Sequence, residues 1–285
     1  MKERVEVAVP RFAVYHRLGP VMNKKLAPAT QIFLDLFQVK PGSPGLRLLE
    51  DVAVEFSQLP WENLTKFLKK DAAPQNRLRR AGEVMEDHAR MGTGGTCFSL
   101  TDTLRAIVGD LGFHACPAMA DMRHGPNIHC GLVVHVGERR VLLDPGYLVP
   151  EPVPLEPGTG ARVELPGHRL EYRPAAGCDQ YELYTVNDRG EETFRYRLRP
   201  GPVREEDFLG FWTASFQATG MNGLHLNRLT SGGRLSAHNQ NLRIDDGRRK
   251  RNVKLKDSYV ETVARTFGLA PELVRQAHEA WCRNR

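Results

Sequence analysis

The most informative stretch of the chain is a glycine-rich turn that leads into a helical pattern, Gly92-Thr93-Gly94-Gly95-Thr96-Cys97-Phe98. Apolar residues then recur at helical spacing (Leu100, Leu104, Ile107, Val108 and Leu111), which predicts a helix that begins near Cys97. A thiol at a helix N-terminus lies at the positive end of the helix dipole, beside unpaired N–H groups. Both favour the thiolate, which is the nucleophilic form. We therefore expect the turn to expose and polarise Cys97.

Two strand-like runs downstream supply partners for such a thiol. The run 127–134 contains His129, and the run 141–146 contains Asp144. A Cys, a His and an Asp in this order indicate covalent catalysis by an activated thiol.

The pairing of these two strands can be predicted from the turn between them. Gly137-Glu138 fits a two-residue type II′ hairpin turn, in which Val136 opposes Arg139. His129 and Asp144 then become diagonal neighbours on one face, with Cβ atoms about 7–8 Å apart. A slip of one residue would place Asp144 on the opposite face, so the triad predicts this register.

Other residues compete for these roles. His135 shares the face of His129 but lies about 20 Å along the strand, near the turn, and His124 falls in the preceding loop. Free cysteines are often inert buried hydrophobes, an interpretation that suits Cys116, Cys130 and Cys178. Metal ligation by the three triad residues has no recognised zinc spacing behind it, so no metal is expected.

Composition places the chain among globular proteins. It has 285 residues, 41% hydrophobic and 26% charged, and no apolar run that approaches a membrane span. The start, Met1 to Glu6, has no apolar core of a signal peptide. Five scattered cysteines without a CxxC pair suggest neither disulfides nor structural zinc, which favours a reducing cytoplasm.

The net charge of +6 is concentrated in the segment 234–256. Two aspartates accompany its eight basic residues, Arg234, Arg243, Arg248, Arg249, Lys250, Arg251, Lys254 and Lys256. We interpret it as a solvated hairpin with a polar tip. A nucleic-acid patch or a phosphate site is the alternative, and no nucleic-acid motif accompanies the segment.

The coarse pattern changes twice along the chain. Helical spacing dominates the first third, at 30–37, 46–59 and 76–90, with a turn at 59–64. Alternating strand-like runs follow, at 115–122, 128–136, 140–144, 162–165, 169–172, 181–186 and 193–198, and predict a barrel-like or sandwich-like region. The last third mixes helices at 205–218, 258–266 and after Pro271 with short strands at 224–229, 234–239 and 241–244.

Taken in order, several motifs resemble the arylamine N-acetyltransferase family. That family has an Arg-Gly-Gly-x-Cys-Phe-Glu signature at its nucleophile, where this chain has residues 93–99, and a Pro-Phe-Glu-Asn-Leu motif that Pro60-Trp61-Glu62-Asn63-Leu64 resembles. Its strand histidine and Asp-x-Gly-Phe element are similar to His129 and to Asp144-Pro145-Gly146-Tyr147. Asp207-Phe208, the stretch 229–242 and Phe267-Gly268-Leu269 extend the resemblance over nearly the whole chain.

The resemblance implies an α+β fold with a cysteine-protease or transglutaminase-like core. Its parts would be a helical bundle at 1–110 with the nucleophile, a β-barrel at 111–200 with His and Asp, and an α/β lid at 201–285. It also implies a ping-pong reaction in which Cys97 takes an acetyl group from acetyl-coenzyme A and passes it to an arylamine, arylhydrazine or N-hydroxyarylamine. His129 would activate the thiol, and Asp144 would hold the ring.

The same resemblance implies roles for further residues and partners. Backbone N–H groups near Cys97, at Gly95, Thr96 and Phe98, are candidates to stabilise the tetrahedral oxyanion. The expected partners are coenzyme A and a small aromatic amine, with neither nucleic acid nor membrane, and the oligomeric state stays open. Five aromatic residues are candidates to line a substrate pocket, although most are expected in the core: Trp61, Phe98, Phe211, Trp212 and Phe216.

Two departures from the signature bear on specificity. Thr93 stands at the arginine, and Ser99 stands at the glutamate that follows Cys-Phe. Loss of an Arg–Glu pair near the nucleophile is expected to change how the bundle docks or which acyl donor fits. Glu62-Asn63 could be mistaken for an acid–base site, but a structural turn whose side chains accept backbone N–H groups is the preferred interpretation.

Three alternative functions stay open. An amide synthase would use another acyl thioester, such as a carrier-bound chain. A transglutaminase-like thiol hydrolase would use the same Cys-His-Asp order on a carboxamide, and Leu143-Asp144-Pro145 resembles its aspartate element. A non-catalytic descendant would bind a partner through a cysteine of ordinary pKa, near 8.5.

Overall fold

Helices form most of the N-terminal third. The structure is a computed structural model that describes residues 25–230, 232–246, 249–255 and 258–283, so Met1–Glu6, Arg248 and Lys256 lie outside it. The elements are α1 (Pro28–Phe37), α2 (Leu46–Phe56), β1 (Trp61–Glu62), α3 (Leu64–Leu68), α4 (Pro74–Arg77), α5 (Ala81–Met91) and α6 (Cys97–Asp110). They correspond to the predicted helical stretches, with α3 in addition.

The expected turn at 59–64 is in part a strand, so that prediction was wrong in detail. Trp61 pairs antiparallel with Asn227 and forms a bridge to Gly95. This pairing partner comes from the other end of the chain, so local sequence carries no sign of it. The strand fixes the segment beside the glycine turn that precedes Cys97.

Eight strands follow and form a nearly closed barrel. They are β2 (His114–Met122), β3 (Gly125–Val136), β4 (Arg139–Leu143), β5 (Val153–Pro154), β6 (Ala161–Leu165), β7 (His168–Pro174), β8 (Tyr181–Asn187) and β9 (Glu192–Arg199). Their order is β5-β4-β3-β2-β9-β8-β7-β6, and the two edge strands contact each other. Inward-facing apolar residues such as Leu142, Leu170 and Leu183 fill the interior.

The hairpin between β3 and β4 has the predicted register. Val136 pairs with Arg139, and Leu132 pairs with Leu143. Gly137 has a φ of +60°, whereas Glu138 is not among the residues with positive φ, as a type II′ turn requires. The register prediction is therefore confirmed.

The C-terminal third combines helices with a second sheet. It contains α7 (Glu205–Ala214), two 3₁₀ turns (Ser215–Gln217 and Thr219–Met221), β10 (His225–Thr230), β11 (Gly233–His238), β12 (Asn241–Asp245), β13 (Lys250–Lys254), α8 (Tyr259–Phe267) and α9 (Pro271–Arg283). The helix expected to reach residue 218 ends at Ala214. The sheet order is β1-β10-β11-β12-β13, and exposed β13 pairs with β12 as the predicted basic hairpin.

Helix α6 lies at the centre of the molecule. Every residue from Cys97 to Leu104 is buried, because the helix packs against α1, α2 and α5 and against β2 and β3. Since β1 joins the C-terminal sheet, the sheets do not follow a strict division by sequence, and the boundaries near residues 110 and 200 stay predictions. Within the described ranges, none of the helices is both long enough and apolar enough to cross a bilayer.

Candidate active site

A cavity of about 1060 Å³ lies between the barrel and the five-stranded sheet. Barrel residues such as His129 and Arg195 line one wall, and residues of the second sheet such as Asn227 and Arg234 line the other. Cys97 also lines this cavity. Any molecule that enters the cavity can therefore reach the thiol.

Cys97 begins α6 but is only 8% exposed, so the expectation of an exposed thiol was wrong. The turn before it is held tightly against the strand at Trp61. Gly95 N–H donates to Pro60 O at 3.3 Å, and Glu62 N–H donates to Gly95 O at 3.0 Å. A Cβ atom on Gly94 would lie 1.9 Å from Pro60 O, so this close approach requires glycine. The buried thiol lines the cavity, which gives a route to it.

His129 and Asp144 meet as the hairpin register predicts. His129 Nε2 lies 3.2 Å from Asp144 Oδ1 and 3.4 Å from Oδ2, and both side chains are buried. A methyl group on Gly146 would lie 2.9 Å from Cys97 Cβ and 3.3 Å from His129 Nδ1. The Nδ1 edge of the ring therefore faces the cysteine while Nε2 faces the carboxylate.

Two tyrosines hold the carboxylate and the ring. Tyr196 O–H donates to Asp144 Oδ2 at 2.5 Å, and its ring stacks on His129 with centroids 4.6 Å apart. Tyr147 N–H donates to Asp144 Oδ1 at 3.2 Å, and its ring meets His129 edge-on. Burial and the charge of Asp144 raise the pKa of Tyr196, so the phenol stays a donor. Tyr196 could not be predicted from the sequence, because it lies on β9, separated from β4 by two other strands, and reaches Asp144 only in the folded barrel.

The electrostatics favour a thiolate–imidazolium pair. Cys130 and His129 hydrogen-bond to Cys97 and, with the charges of His129 and Lys66, lower the pKa of this thiol well below its ordinary value despite burial. Burial opposes a charge on His129, but Asp144 and Cys97 together raise the pKa of His129 to about 10. An attractive pair of opposite charges stabilises both charged forms.

The other cysteines divide into three environments. Cys130 is fully buried as expected, yet it packs in the same cluster as Cys97, and burial together with the Cys97 thiolate raises its pKa well above the ordinary value. Cys116 is half-buried, whereas Cys178 is exposed in a turn after β7, so the prediction of a buried Cys178 was wrong. A strand-like neighbourhood does not tell which residues of a turn face solvent.

Arg79 lies beside Thr93, the position at which the signature has an arginine. Its guanidinium donates to Gly94 O at 2.8 Å, lies 3.5 Å from Thr93 Oγ1 and pairs with Asp87 Oδ2 at 2.9 Å. Glu62 Oε1 is 3.8 Å away. A guanidinium and an acid therefore do meet behind the glycine turn, although another part of the chain supplies the arginine.

The other residues that the sequence singled out lie outside the Cys97–His129–Asp144 array. Glu62 accepts the Thr65 N–H at 2.9 Å, and Asn63 accepts the His225 N–H at 2.8 Å, so the structural interpretation of this pair is confirmed. His135 contacts His114 near the hairpin turn, and His124 lines the cavity without a triad contact. Trp61 and Phe98 line the cavity, whereas Trp212 and Phe216 are buried in the core.

The oxyanion candidates are not equivalent. The Gly95 N–H already donates to Pro60 O, as described above. Thr96 and Phe98 line the cavity on either side of Cys97, and the first N–H groups of a helix have no acceptor within it. Within the described ranges, no group of three or more His, Cys, Asp or Glu side chains is arranged to hold a metal ion.

The architecture is an α+β fold with a Cys-His-Asp array at a cavity wall. Solved structures share this fold. An arylamine N-acetyltransferase from Mycobacterium abscessus superposes with a TM-score of 0.76 at 18% identity, covering 89% of this chain and 94% of that one. The one from Salmonella typhimurium gives 0.74 at 18% identity, covering 90% and 100%.

A third neighbour, from Bacillus cereus, gives a TM-score of 0.68 at 18% identity over 86% of this chain and 100% of that one. It is described as having a unique Cys-His-Glu catalytic triad, where this chain has Asp144 as the acid. No protein-family model matches the chain, and no curated protein matches it in sequence. The chain thus has the fold of the arylamine N-acetyltransferases, which confirms the resemblance at the level of the fold.

Proposed function

We propose that the chain is an arylamine N-acetyltransferase-like enzyme with Cys97, His129 and Asp144 as its catalytic residues. It would move an acetyl group from acetyl-CoA through a Cys97 thioester to an arylamine, arylhydrazine or N-hydroxyarylamine. The observation that carries the proposal is the buried Cys97–His129–Asp144 array at the wall of the large cavity. The fold shared with arylamine N-acetyltransferases agrees with it.

In the first half-reaction the Cys97 thiolate attacks the thioester carbonyl of the donor. The carbonyl π electrons move to oxygen, and N–H groups at Thr96 and Phe98 are the candidates to stabilise that oxyanion. Collapse of the intermediate breaks the bond to the coenzyme sulfur. His129 protonates this sulfur, so coenzyme A leaves as the thiol and the ring becomes neutral.

In the second half-reaction the acceptor amine attacks the acyl-Cys97 carbonyl. Neutral His129 takes the proton that the nitrogen loses, and the Cys97 thiolate leaves as the new amide forms. Asp144 keeps Nε2 protonated, so that Nδ1 faces the sulfur in each half-reaction. The starting thiolate–imidazolium pair is restored.

Five basic side chains in the cavity lining support a donor that carries phosphates. His168 and Arg195 come from the barrel, and Arg234, Arg243 and Lys250 come from the five-stranded sheet. Burial and the nearby Arg234 lower the pKa of His168 to about 4, as expected where positive charge accumulates. Three members of the basic segment 234–256, Arg234, Arg243 and Lys250, line the cavity, which supports a role in binding coenzyme phosphates, although Lys250 also pairs with Asp188. The exposed Arg249 and Arg251 do not line it.

The cavity also has room for donors other than acetyl-CoA. About 1060 Å³ is at the upper end of ordinary ligand pockets, so an acyl chain longer than acetyl could enter it. An amide synthase that uses a longer acyl thioester is therefore the second candidate. A cytoplasmic location, a small aromatic amine as acceptor, and the lack of metal, nucleic-acid and membrane partners remain predictions.

Intact-mass measurement after incubation with acetyl-CoA tests the proposal. We expect one acetyl group on the wild-type chain, none on Cys97→Ala, and loss of the group when an aromatic amine is added. Longer acyl-CoA thioesters are the matched alternative donors. If the wild-type chain gains no acyl group from any thioester while Cys97 still reacts with iodoacetamide, the acyltransferase proposal is wrong.

A further inference from the structure

Lys66 is a buried cation in the wall of the cavity that contains Cys97. The residue lies in α3, is 9% exposed, and lines the cavity together with Ser215 and Phe98. Its Nζ donates to Ser215 O at 2.9 Å and to Ser215 Oγ at 2.7 Å, and it lies 4.6 Å from the centre of the Phe216 ring.

The charge of Lys66 has no acidic partner in the described parts of the chain. No carboxylate there lies within ion-pair distance of Nζ, although a buried charge is costly unless it is paired. An ammonium has three N–H donors, and Ser215 accepts two of them. The Ser215 hydroxyl donates in turn to Trp212 O, which leaves its oxygen to accept from Lys66.

The Cys97 thiolate is one source of negative charge for this lysine. The charges of Cys97 and Cys130 act to raise the pKa of Lys66, although burial dominates and lowers it to about 8. When Cys97 becomes a thioester, this anion is lost. The ammonium then remains buried in the wall of the same cavity, with Ser215 accepting two of its three donors.

We propose that Lys66, held by Ser215, binds a carboxylate carried by a molecule that reacts at Cys97. The carboxylate lies on the acyl chain or on the amine, and the assignment to these two substrates rests on the proposed acyltransferase function. The anion site itself does not depend on that function.

A carboxylate suits this site better than a phosphate does. Ser215 accepts two of the three Lys66 N–H groups, and Nζ lies 4.6 Å from the centre of the Phe216 ring, so the site offers a single cation in partly aromatic surroundings. Phosphates are commonly bound by several donors at once, as Arg195, Arg234 and Arg243 in the same cavity provide. Lys66 and these arginines therefore suit different anions.

Alkylation of Cys97 by iodoacetate and by iodoacetamide tests the anion site without any acyl transfer. The two reagents differ mainly in the carboxylate, so the ratio of their rates is insensitive to how nucleophilic the thiolate is. Because hydrogen bonds to charged groups are worth more than neutral ones, we expect Lys66→Met to lower the iodoacetate-to-iodoacetamide ratio about tenfold or more. Lys66→Arg should retain most of the ratio.

Control variants separate local from general effects. Lys70→Met removes the same charge from the turn just after α3 and should leave the ratio unchanged. Ser215→Ala keeps the lysine and removes one of its two acceptors, so it should lower the ratio partially. This variant tests the site independently if Lys66→Met folds poorly. An unchanged ratio in folded Lys66→Met, or an equal decrease in Lys70→Met, overturns the proposal.

Transfer assays then identify which substrate carries the carboxylate. For the acceptor, 4-aminobenzoate is compared with its methyl ester, and for the donor, succinyl-CoA is compared with acetyl-CoA. Lys66→Met should raise KM selectively for the charged member of one pair. If the alkylation ratio decreases but KM rises for the charged member of neither substrate pair, the substrate assignment is wrong. If no thioester acylates the wild-type chain while the ratio still depends on Lys66, the acyltransferase function fails and the anion site stands.

Discussion

Two clusters of buried polar groups lie next to the glycine turn at 92–95, and they are built differently. The first consists of Cys97, His129, Asp144 and Tyr196 and is called the catalytic cluster after its proposed role; its His–Asp contacts are 3.2 and 3.4 Å long. The arginine cluster, Arg79 with Glu62, Thr65 and Asp87, lies outside the large cavity, and Arg79 donates to Thr65 Oγ1 and Asp87 at 2.9 Å.

The difference predicts that stability and the proposed chemistry depend on separate parts of the fold. The arginine cluster ties β1, α3 and α5 to the turn through Arg79, which donates to Gly94 O and Thr65 Oγ1 and pairs with Asp87. Loss of the guanidinium therefore leaves buried acceptors without their donor. The catalytic cluster lies at the wall of the large cavity, and in the proposed reaction His129 changes protonation there. We therefore expect variants of the two clusters to fail in different assays.

The largest expected effect is on activity, from Asp144→Asn in the catalytic cluster. The amide removes the charge that stabilises the imidazolium and can reverse the ring tautomer, which in a serine triad lowers kcat by about 10⁴-fold. We expect a loss of comparable size in acyl transfer, with little change in Tm. A large decrease in Tm, with activity retained in the folded fraction, would assign Asp144 to the framework instead.

Arg79→Met, in the arginine cluster, should have the opposite effect, a large decrease in stability. It leaves Asp87 and Glu62 buried without their guanidinium, which typically costs about 3–5 kcal/mol of unfolding free energy. The control is Arg90→Met, because Arg90 pairs with the same Asp87 at 2.7 Å from the exposed side. We expect the control to cost about 1 kcal/mol or less in urea unfolding. Equal losses in the two variants would contradict the role given to burial.

The sequence predicted the catalytic cluster much better than the arginine cluster. A nucleophile at a helix start, and a hairpin whose turn sets the register, are local features, so the approach of His129 to Asp144 followed from them. The order of helices, barrel strands and mixed C-terminal elements followed from periodicity in the same way. Each of these inferences needs only residues that are near in the chain.

Contacts between distant segments could not be predicted. Arg79 reaches Gly94 O only because α4 and α5 fold back on the turn, and Tyr196 reaches Asp144 only in the folded barrel. Lys66 looks like a surface lysine in a helix of five residues until the C-terminal segment at Ser215 covers it. The burial of Cys97 is of this kind too, since helices and strands enclose α6 from several sides.

Gly146→Ala tests how closely the catalytic cluster is packed. The added methyl would lie 2.6 Å from His129 Cε1 and 2.9 Å from Cys97 Cβ, which forces the two side chains apart. A displacement of about 1 Å at a reacting group can cost about 10²-fold, so we expect a loss of that size in kcat/KM. Gly109→Ala, at the far end of α6, meets no atom within 4 Å and should keep full activity. Full activity in Gly146→Ala would mean that the Cys–His contact is loose.

The smallest expected effect, and the finest test of the catalytic cluster, is on the pH dependence of Cys97 alkylation. Because the pKa of Cys97 lies well below the ordinary value, the rate should already be at its plateau at neutral pH and decrease only as the pH falls through that lowered pKa. Since Asp144 and Cys97 raise the pKa of His129 to about 10, the imidazolium persists across this plateau.

Cys130→Ala removes the thiol that hydrogen-bonds to the Cys97 thiolate, which is the largest cause of the lowered pKa. The Cys97 pKa should therefore rise, so the acidic limb of the rate profile moves to higher pH while the rate on the alkaline plateau is unchanged. Cys116→Ala, in half-buried surroundings on β2, is the matched control and should leave the profile in place. If the rate profile does not move in Cys130→Ala, the lowered pKa of Cys97 is due to His129 and Lys66 alone. Cys130 is then only a buried residue of the apolar core.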